Sequence, residues 1–234
     1  VAGIIVAQVL QRMSEIIEPG ITTGQLDRES ERLIRKNGAE PAFLGYHGFP
    51  ASICTSINEE VVHGIPGLRR LKEGDIISID VGAKFKGYYG DAAATFAVGE
   101  IDERVQKLID VTRESLQRGI SMVRVGGHLT DISHAIQSYA EKHGFSVVRN
   151  YVGHGIGSAM HEEPQVPNFG APGRGPRLEN GMVLAIEPMI NAGTWEVKTL
   201  LDQWTVVTKD GQLSAHFEHT VAIIDDTPEI LTVL

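Results

Sequence analysis

The spacing of hydrophobic residues predicts four helices, arranged along the chain as two pairs. The second helix begins at Thr22, where Gln25 three positions later completes a capping box. Each pair is followed by a group of segments with strand-like alternation, so the order helix, helix, strands occurs twice. The predicted helices span residues 3–17, 22–37, 103–122 and 130–142.

Strand-like segments fill much of the remaining chain, and two of them end in a similar way. Ile79-Asp80-Val81 and Ile186-Glu187-Pro188 each place an acid at the end of an apolar strand, which indicates an internal duplication. The predicted strands are 52–62, 75–98 (a hairpin turning within 84–87), 147–152, 182–187, 203–208 and 215–224, with a Pro/Gly-rich loop at 164–176. This pattern predicts an α/β (α+β) protein with one domain over residues 1–234.

Composition narrows the classes of function. The 234 residues carry 21 Lys+Arg against 30 Asp+Glu, a net charge of -9, and the cations are not clustered as nucleic-acid binding requires. The apolar runs are far shorter than the ~20 residues that span a bilayer, so we expect a soluble protein with no membrane contact. The single cysteine, Cys54, cannot form an internal disulfide, which favours a reducing cytoplasm.

Four acids lie in or beside apolar strands, where a carboxylate is costly unless it is paired or binds a metal: Asp80, Asp91, Glu187 and Glu218. Taken singly, each is more simply a solvated residue at a strand end or a turn. If the hairpin turns around residues 85 and 86, however, Asp80 and Asp91 lie opposite one another on one face. Two like charges at that distance need a cation between them.

His154 extends this set of acids. It lies among the glycines of Gly153-His154-Gly155-Ile156-Gly157, where an isolated histidine is more often a loop residue than a ligand. Together with four acids it predicts a site for two divalent ions roughly 3.5 to 4 Å apart. An oxygen-rich set without thiols favours Mn, Fe or Co, and Zn remains an alternative.

Asp80, Asp91, His154, Glu187 and Glu218, in this order and with these flanks, resemble the metal ligands of type I methionine aminopeptidases. The resemblance spans essentially the whole chain, and Glu187 and Glu218 are only 31 positions apart, too close for the helical insertion of type II relatives. The chain resembles the short bacterial form. The supporting phrases are residues 45–50 (GYHGFP), 56–59 (SINE), 62–66 (VHGIP), 153–157 (GHGIG), 161–164 (HEEP) and 218–220 (EHT).

The resemblance implies a pita-bread fold, with two pseudo-symmetric halves and a curved antiparallel β-sheet covered by helices. It implies a cytoplasmic, monomeric enzyme that removes the initiator methionine from nascent proteins and peptides, near the ribosome, and prefers a small second residue. Two ions activate the attacking water. By the same resemblance, Glu187 also handles the proton of that water, His161 stabilises the oxyanion, and His63 contacts the scissile amide nitrogen or the developing charge. A structural hydrogen-bonding role is the alternative for either histidine.

The resemblance also places a pocket for the methionine side chain, formed by Phe43, Tyr46, Phe49, Cys54, Met160 and Trp204, although Phe43 and Phe49 could equally be core aromatics. Several positions depart from the pattern of relatives: Phe43 replaces Cys of some, Phe49 the usual Tyr, and Met160 the common Phe. His216 replaces a common Gln. By strand alternation His216 shares a face with Glu218, but a surface histidine is the simpler interpretation.

Two other functions remain open at this stage. A proline-specific peptidase of the same architecture would have the same ligands, but such relatives usually carry an extra N-terminal domain and lack the phrases at 45–50 and 62–66. A catalytically inactive binding protein of this fold would have lost ligands, whereas all five are present here.

Overall fold

The structure, a computed structural model, describes residues 1–234 and contains four α-helices and a large amount of antiparallel sheet. The helices are α1 (Ala2–Ile16), α2 (Thr23–Lys36), α3 (Glu103–Ile120) and α4 (Leu129–Lys142), and a 3-10 turn covers Tyr46–Gly48. The strands are β1 (Glu40–Pro41), β2 (Ile53–Ile57), β3 (Glu60–Val62), β4 (Ile76–Phe85), β5 (Tyr88–Ala97), β6 (Ser146–Val147), β7 (Gly153–Gly155), β8 (Glu162–Val166), β9 (Val183–Ile186), β10 (Met189–Asn191), β11 (Val197–Thr199), β12 (Val206–Thr208), β13 (Ser214–His216), β14 (Glu218–Ile224) and β15 (Thr227–Ile230).

The four predicted helices are all present, with ends that differ by one or two residues from the predicted ones. At the start of α2 the predicted capping box is confirmed. The Thr22 hydroxyl accepts a hydrogen bond from the Gln25 backbone N–H, and the Gln25 side chain accepts one from the Thr22 backbone N–H. No helix in the structure is both long and apolar enough to cross a membrane.

The main sheet has nine strands in the order β1-β4-β5-β14-β9-β7-β8, with β2 also paired to β4 and β15 to β14. Two small sheets, β13-β10-β6 and β11-β12-β3, lie beside it. Every pairing is antiparallel. The first half of the chain supplies β4 and β5, the second supplies β14, β9 and β7, and the two meet where β5 pairs with β14.

Each helix pair buries its own hydrophobic core. Val9 of α1 and Leu26 of α2 pack in one cluster with Ile79 of β4, whereas Leu116 of α3 and Ile136 of α4 belong to another with β14 and β9. In the main sheet the seam between the halves is short, with only Glu218 facing Ala93 and His219 facing Ala92 in register. Outside the main sheet, β3 of the first half pairs with β12 of the second. Two helix-covered halves of one sheet are therefore held side by side.

Four of the predicted strands need correction. Segment 52–62 is divided at Asn58, whose φ of 59° turns the chain between β2 and β3. Segment 215–224 is divided at Phe217, where the chain leaves the small sheet of β13 for the main sheet of β14. Segment 147–152 forms a strand only at its start: Val148 is still buried, but Arg149 and Asn150 beyond it are exposed. Segment 203–208 becomes strand only at Val206, because Asp202 first holds a turn.

Candidate active site

The register of the main sheet gathers three acids on one face. Ala93 of β5 faces Asp80 of β4 on one side and Glu218 of β14 on the other. Asp91 lies two residues before Ala93, so its side chain projects from the same face. Its backbone is fixed by Thr220, whose hydroxyl accepts a hydrogen bond from the Asp91 N–H (3.0 Å) and donates one to the Asp91 carbonyl (2.7 Å).

The predicted pairing of Asp80 with Asp91 is wrong by two residues in register. Asp80 faces Ala93, whereas Asp91 faces Gly82. The reason is the turn, which is formed by Lys86 and Gly87 instead of residues 85 and 86. Both have positive φ, 50° and 87°, as the two-residue turns that suit a hairpin require. The two acids are therefore diagonal neighbours on one face, still within reach of each other.

His154 and Glu187 complete the group from the second half. His154 of β7 faces Ala185 of β9, and Glu187 follows two residues later on the same face. The His154 Nδ1–H donates to the Gly155 carbonyl at 2.8 Å, which leaves the Nε2 lone pair directed at the acids. Nε2 lies 3.6 Å from Glu187 Oε1 and 3.9 Å from Asp91 Oδ2.

The four acids lie together, with Asp91 and Glu218 buried and Asp80 and Glu187 half-buried, and their pKa values are raised. Burial raises the pKa of Asp80 to about 7. Burial and then the neighbouring carboxylates raise the pKa values of Asp91, Glu187 and Glu218 well above their ordinary range. One oxygen each of Asp80, Asp91 and Glu218 is buried without a hydrogen-bond partner. Such a group is stabilised by cations.

The donor set fits a divalent metal. Asp91, His154 and Glu218 each offer a ligand atom, and these atoms lie within 4.8 Å of one another. The unpartnered oxygens of Asp80 and Asp91 are the kind of atoms that a hard or borderline cation binds. The chain thus provides for divalent metal binding at the centre of the sheet.

All thirteen residues predicted for the site line one cavity of about 260 Å³, and His47 joins them. The acids and His154 form its polar part. The apolar wall includes the rings of Phe49 and Trp204, packed edge to face with centroids 5.1 Å apart. The other residues of the apolar wall are Phe43, Tyr46, Cys54 and Met160.

Gly82 leaves room for Phe43 and Met160, two of the residues that differ from the pattern of relatives. A Cβ at position 82 would lie 2.7 Å from Phe43 Cε1 and 3.2 Å from Met160 Cε. Glycine at this position therefore allows both side chains to close in against β4. Phe43 and Phe49 are buried and also form part of the cavity wall. Their interpretation as core aromatics is therefore compatible with their interpretation as pocket residues.

His63 and His161 also line the cavity. His63 has a φ of 61°, an uncommon conformation for a side chain of this size, and burial followed by the charge of His161 lowers its pKa to about 4. The His161 ring lies 4.2 Å from that of His154, and its Nδ1 is 2.7 Å from the Tyr46 hydroxyl. Burial and then His47 lower the pKa of His161.

Sequence reasoning missed two histidines at the site. The interpretation of His216 as a surface residue is wrong, because it is 1% exposed and its Nε2 lies 3.8 Å from Glu187 Oε2. The sequence signal for a buried position was strand alternation, which puts the side chain of His216 on the same face as that of Glu218. His47 lies in the 3-10 turn beside Tyr46, with ring centroids 4.4 Å apart, and its only sequence signal is the phrase at 45–50.

Comparison with known proteins shows the family. Residues 1–225 match the model of metallopeptidase family M24. The chain is 61% identical to a methionine aminopeptidase of Clostridium acetobutylicum (99% of this chain, 93% of the relative) and 58% identical to methionine aminopeptidase 1 of Bacillus subtilis (99% and 93%).

Solved structures confirm the predicted pita-bread fold. A methionine aminopeptidase from Rickettsia prowazekii superimposes with a TM-score of 0.98 at 46% identity, covering 99% of this chain and 94% of that one. A prolidase from Pyrococcus horikoshii shares the fold alone, with a TM-score of 0.78 at 21% identity over 99% of this chain and 59% of its own. The chain belongs to the methionine aminopeptidases of metallopeptidase family M24.

Proposed function

We propose that this chain is a dinuclear-metal aminopeptidase that removes the initiator methionine from nascent proteins and peptides. The observation that carries the proposal is a single cavity lined by a cluster of acids and by an apolar wall. The proposed ligands are Asp80, Asp91, His154, Glu187 and Glu218. Manganese, iron or cobalt suits this oxygen-rich set, with zinc as the alternative.

The apolar wall suits the side chain of methionine. Phe43, Met160 and the packed rings of Phe49 and Trp204 offer polarisable surface without an unpaired charge, which a thioether contacts favourably. An unbranched chain can enter such a narrow space. Binding this side chain places the following carbonyl beside the acids.

The proposed chemistry distributes protons among side chains of this chain. When bound, two divalent ions lower the pKa of the attacking water and polarise the substrate carbonyl. Glu187 accepts the proton of that water and delivers it to the leaving amine. His161 donates a hydrogen bond to the oxyanion, and His63 contacts the scissile amide nitrogen.

Three further properties belong to the proposal. We expect residues 1–234 to act as one catalytic domain, since both halves contribute acids to the same cavity. We expect a monomer, since one chain supplies all the proposed ligands. An enzyme that acts on nascent chains is expected in the cytoplasm near the ribosome. The lone buried Cys54 suits a reducing compartment.

Peptide hydrolysis tests the activity and its specificity. We expect Met-Ala-Ser to be cleaved about tenfold or more faster than Met-Leu-Ser, because a bulky second residue must fit beside the imidazoles of His63 and His161, which line the cavity. An Xaa-Pro peptide serves as the comparison. Rapid cleavage of Xaa-Pro with slow cleavage of Met-Ala-Ser would favour a proline-specific peptidase, and equal rates for Ala and Leu would remove the small-residue preference.

Replacing His161 with alanine tests the oxyanion role. We expect kcat to fall about 100-fold or more, because one preorganised hydrogen-bond donor is lost. Metal content should stay unchanged, because no proposed metal ligand is replaced. The matched control is His134→Ala, which removes an exposed imidazole on α4 and should keep full activity. Full activity in His161→Ala would rule out this role.

A further inference from the structure

Tyr46 touches both the pocket and the proposed catalytic machinery. Its ring lines the apolar wall, and its hydroxyl lies 2.7 Å from Nδ1 of His161, a residue 115 positions away in the chain. This distance is typical of a well-formed hydrogen bond between a hydroxyl and a ring nitrogen. The mechanism described above uses His161 but gives no function to the Tyr46 hydroxyl.

The turn around Tyr46 fixes where that hydroxyl lies. Gly45 and His47, its immediate neighbours, have φ values of 82° and 48°. The Tyr46 N–H donates to the Phe43 carbonyl, and the Phe49 N–H donates to the Tyr46 carbonyl, both at 2.9 Å. The backbone is thus hydrogen-bonded on both sides, so the phenol is presented to His161 by a defined turn rather than by a free loop.

The chemistry of the two groups sets the direction of the bond. A phenol is a good donor, and the unprotonated nitrogen of an imidazole is a good acceptor. Burial raises the pKa of Tyr46, which keeps its hydroxyl protonated. With Tyr46 as the donor to Nδ1, the N–H of the neutral ring is on Nε2.

We propose that Tyr46 is a positioning residue whose hydroxyl holds His161 in the orientation and tautomer that donate from Nε2 to the carbonyl oxygen of the scissile bond. The inference rests on the proposed function, in which His161 stabilises the oxyanion. One side chain then both recognises the substrate, through its ring, and aligns a donor, through its hydroxyl.

Tyr46→Phe tests the inference because it keeps the ring and removes only the hydroxyl. We expect kcat for Met-Ala-Ser to fall about tenfold, the scale of one lost hydrogen bond, with KM and metal content unchanged. The control is Tyr89→Phe, which removes a hydroxyl from the neighbouring tyrosine of β5 and should leave kcat unchanged. An unchanged kcat in Tyr46→Phe, with His161→Ala impaired, would overturn this inference and leave the proposed function standing.

A double-mutant cycle shows whether the hydroxyl acts through His161. In the His161→Ala background, Tyr46→Phe should change kcat by less than about twofold, because the group it aligns is absent. An equal loss in both backgrounds would mean that Tyr46 acts by another route. If His161→Ala itself is fully active, or Met-Ala-Ser is not cleaved by the unmodified enzyme, the proposed function fails rather than this inference alone.

A spectroscopic measurement is independent of turnover. In ¹⁵N-histidine-labelled enzyme loaded with diamagnetic zinc, the His161 signals are assigned as those missing from His161→Ala. We expect a protonated Nε2 and an unprotonated Nδ1 shifted by hydrogen bonding, with Tyr46→Phe moving Nδ1 toward the value of a free lone pair. A proton on Nδ1 in the unmodified enzyme would overturn the inference.

Discussion

Replacing Asp91 or His154 with alanine should remove metal and activity together. Both side chains belong to the group whose ligand atoms lie within 4.8 Å of one another, so either change opens the proposed site at its centre. Loss of residues that merely orient a ligand costs about 10- to 100-fold in metal affinity or activity, and losing a ligand should cost at least as much. Metal content after dialysis and the rate of Met-Ala-Ser hydrolysis measure the two effects.

Stability separates a lost ligand from a damaged fold. The backbone of Asp91 is held by Thr220, and its side chain lies among other acids, so Asp91→Ala relieves repulsion in the metal-free protein. We expect metal-free Asp91→Ala to unfold at the same temperature as metal-free unmodified protein, or higher. The control is Asp110→Ala, an exposed carboxyl on α3 that should affect neither metal nor rate. Full metal content and rate in Asp91→Ala would contradict the proposed site.

Removing the metal should make stability fall as pH rises. Burial raises the pKa of Asp80 from 3.8 to about 7, and the pKa values of Asp91, Glu187 and Glu218 are raised as well. The pKa values of buried histidines are lowered instead, so these histidines oppose the acids below about pH 7 and are largely neutral in both states above it. Above about pH 7 the folded protein therefore binds more protons than the unfolded chain, and the free energy of unfolding decreases as pH rises. Each excess proton contributes about 1.4 kcal/mol per pH unit.

Bound metal should offset this loss. A ligand at 100 to 1,000 times its Kd stabilises the folded state by about 3 to 4 kcal/mol, which is about 10 °C in Tm for a chain of this size. Thermal unfolding between pH 4 and 8, with chelator or with Mn²⁺, measures both effects. The pKa of Glu29 is lowered to about 2, chiefly by Arg32, so this carboxyl changes the free energy of unfolding only at lower pH. A metal-free protein that became more stable from pH 7 to 8 would contradict the prediction.

The sequence predicted most of this site because its residues are out of place in their local pattern. Asp80 follows four apolar or small residues of a buried strand, and Glu187 does the same in the second half, so each is costly unless something binds it. The helices were predictable from apolar spacing, and the α2 start from Thr22 and Gln25. These signals are local and need no knowledge of the partner strands.

What the sequence left open depends on contacts between distant segments. The predicted register of Asp80 against Asp91 differs from the observed one by two residues, because the register depends on which residues adopt positive φ in the turn. His216 was placed at the surface because nothing in the sequence shows that the chain changes sheets at Phe217. The hydrogen bond between Tyr46 and His161 joins two loops 115 positions apart. Strand pairing and loop packing decide all three.

The short seam between β5 and β14 has a consequence for how the enzyme stays assembled. Asp80 and Asp91 come from one side of it and His154, Glu187 and Glu218 from the other, while only two residue pairs join the strands directly. An ion bound by both Asp91 and Glu218 would therefore link the two halves across this seam. Metal binding would then add to the pairing of β3 with β12 and to the hydrogen bonds between Thr95 and His216 in holding the two halves together.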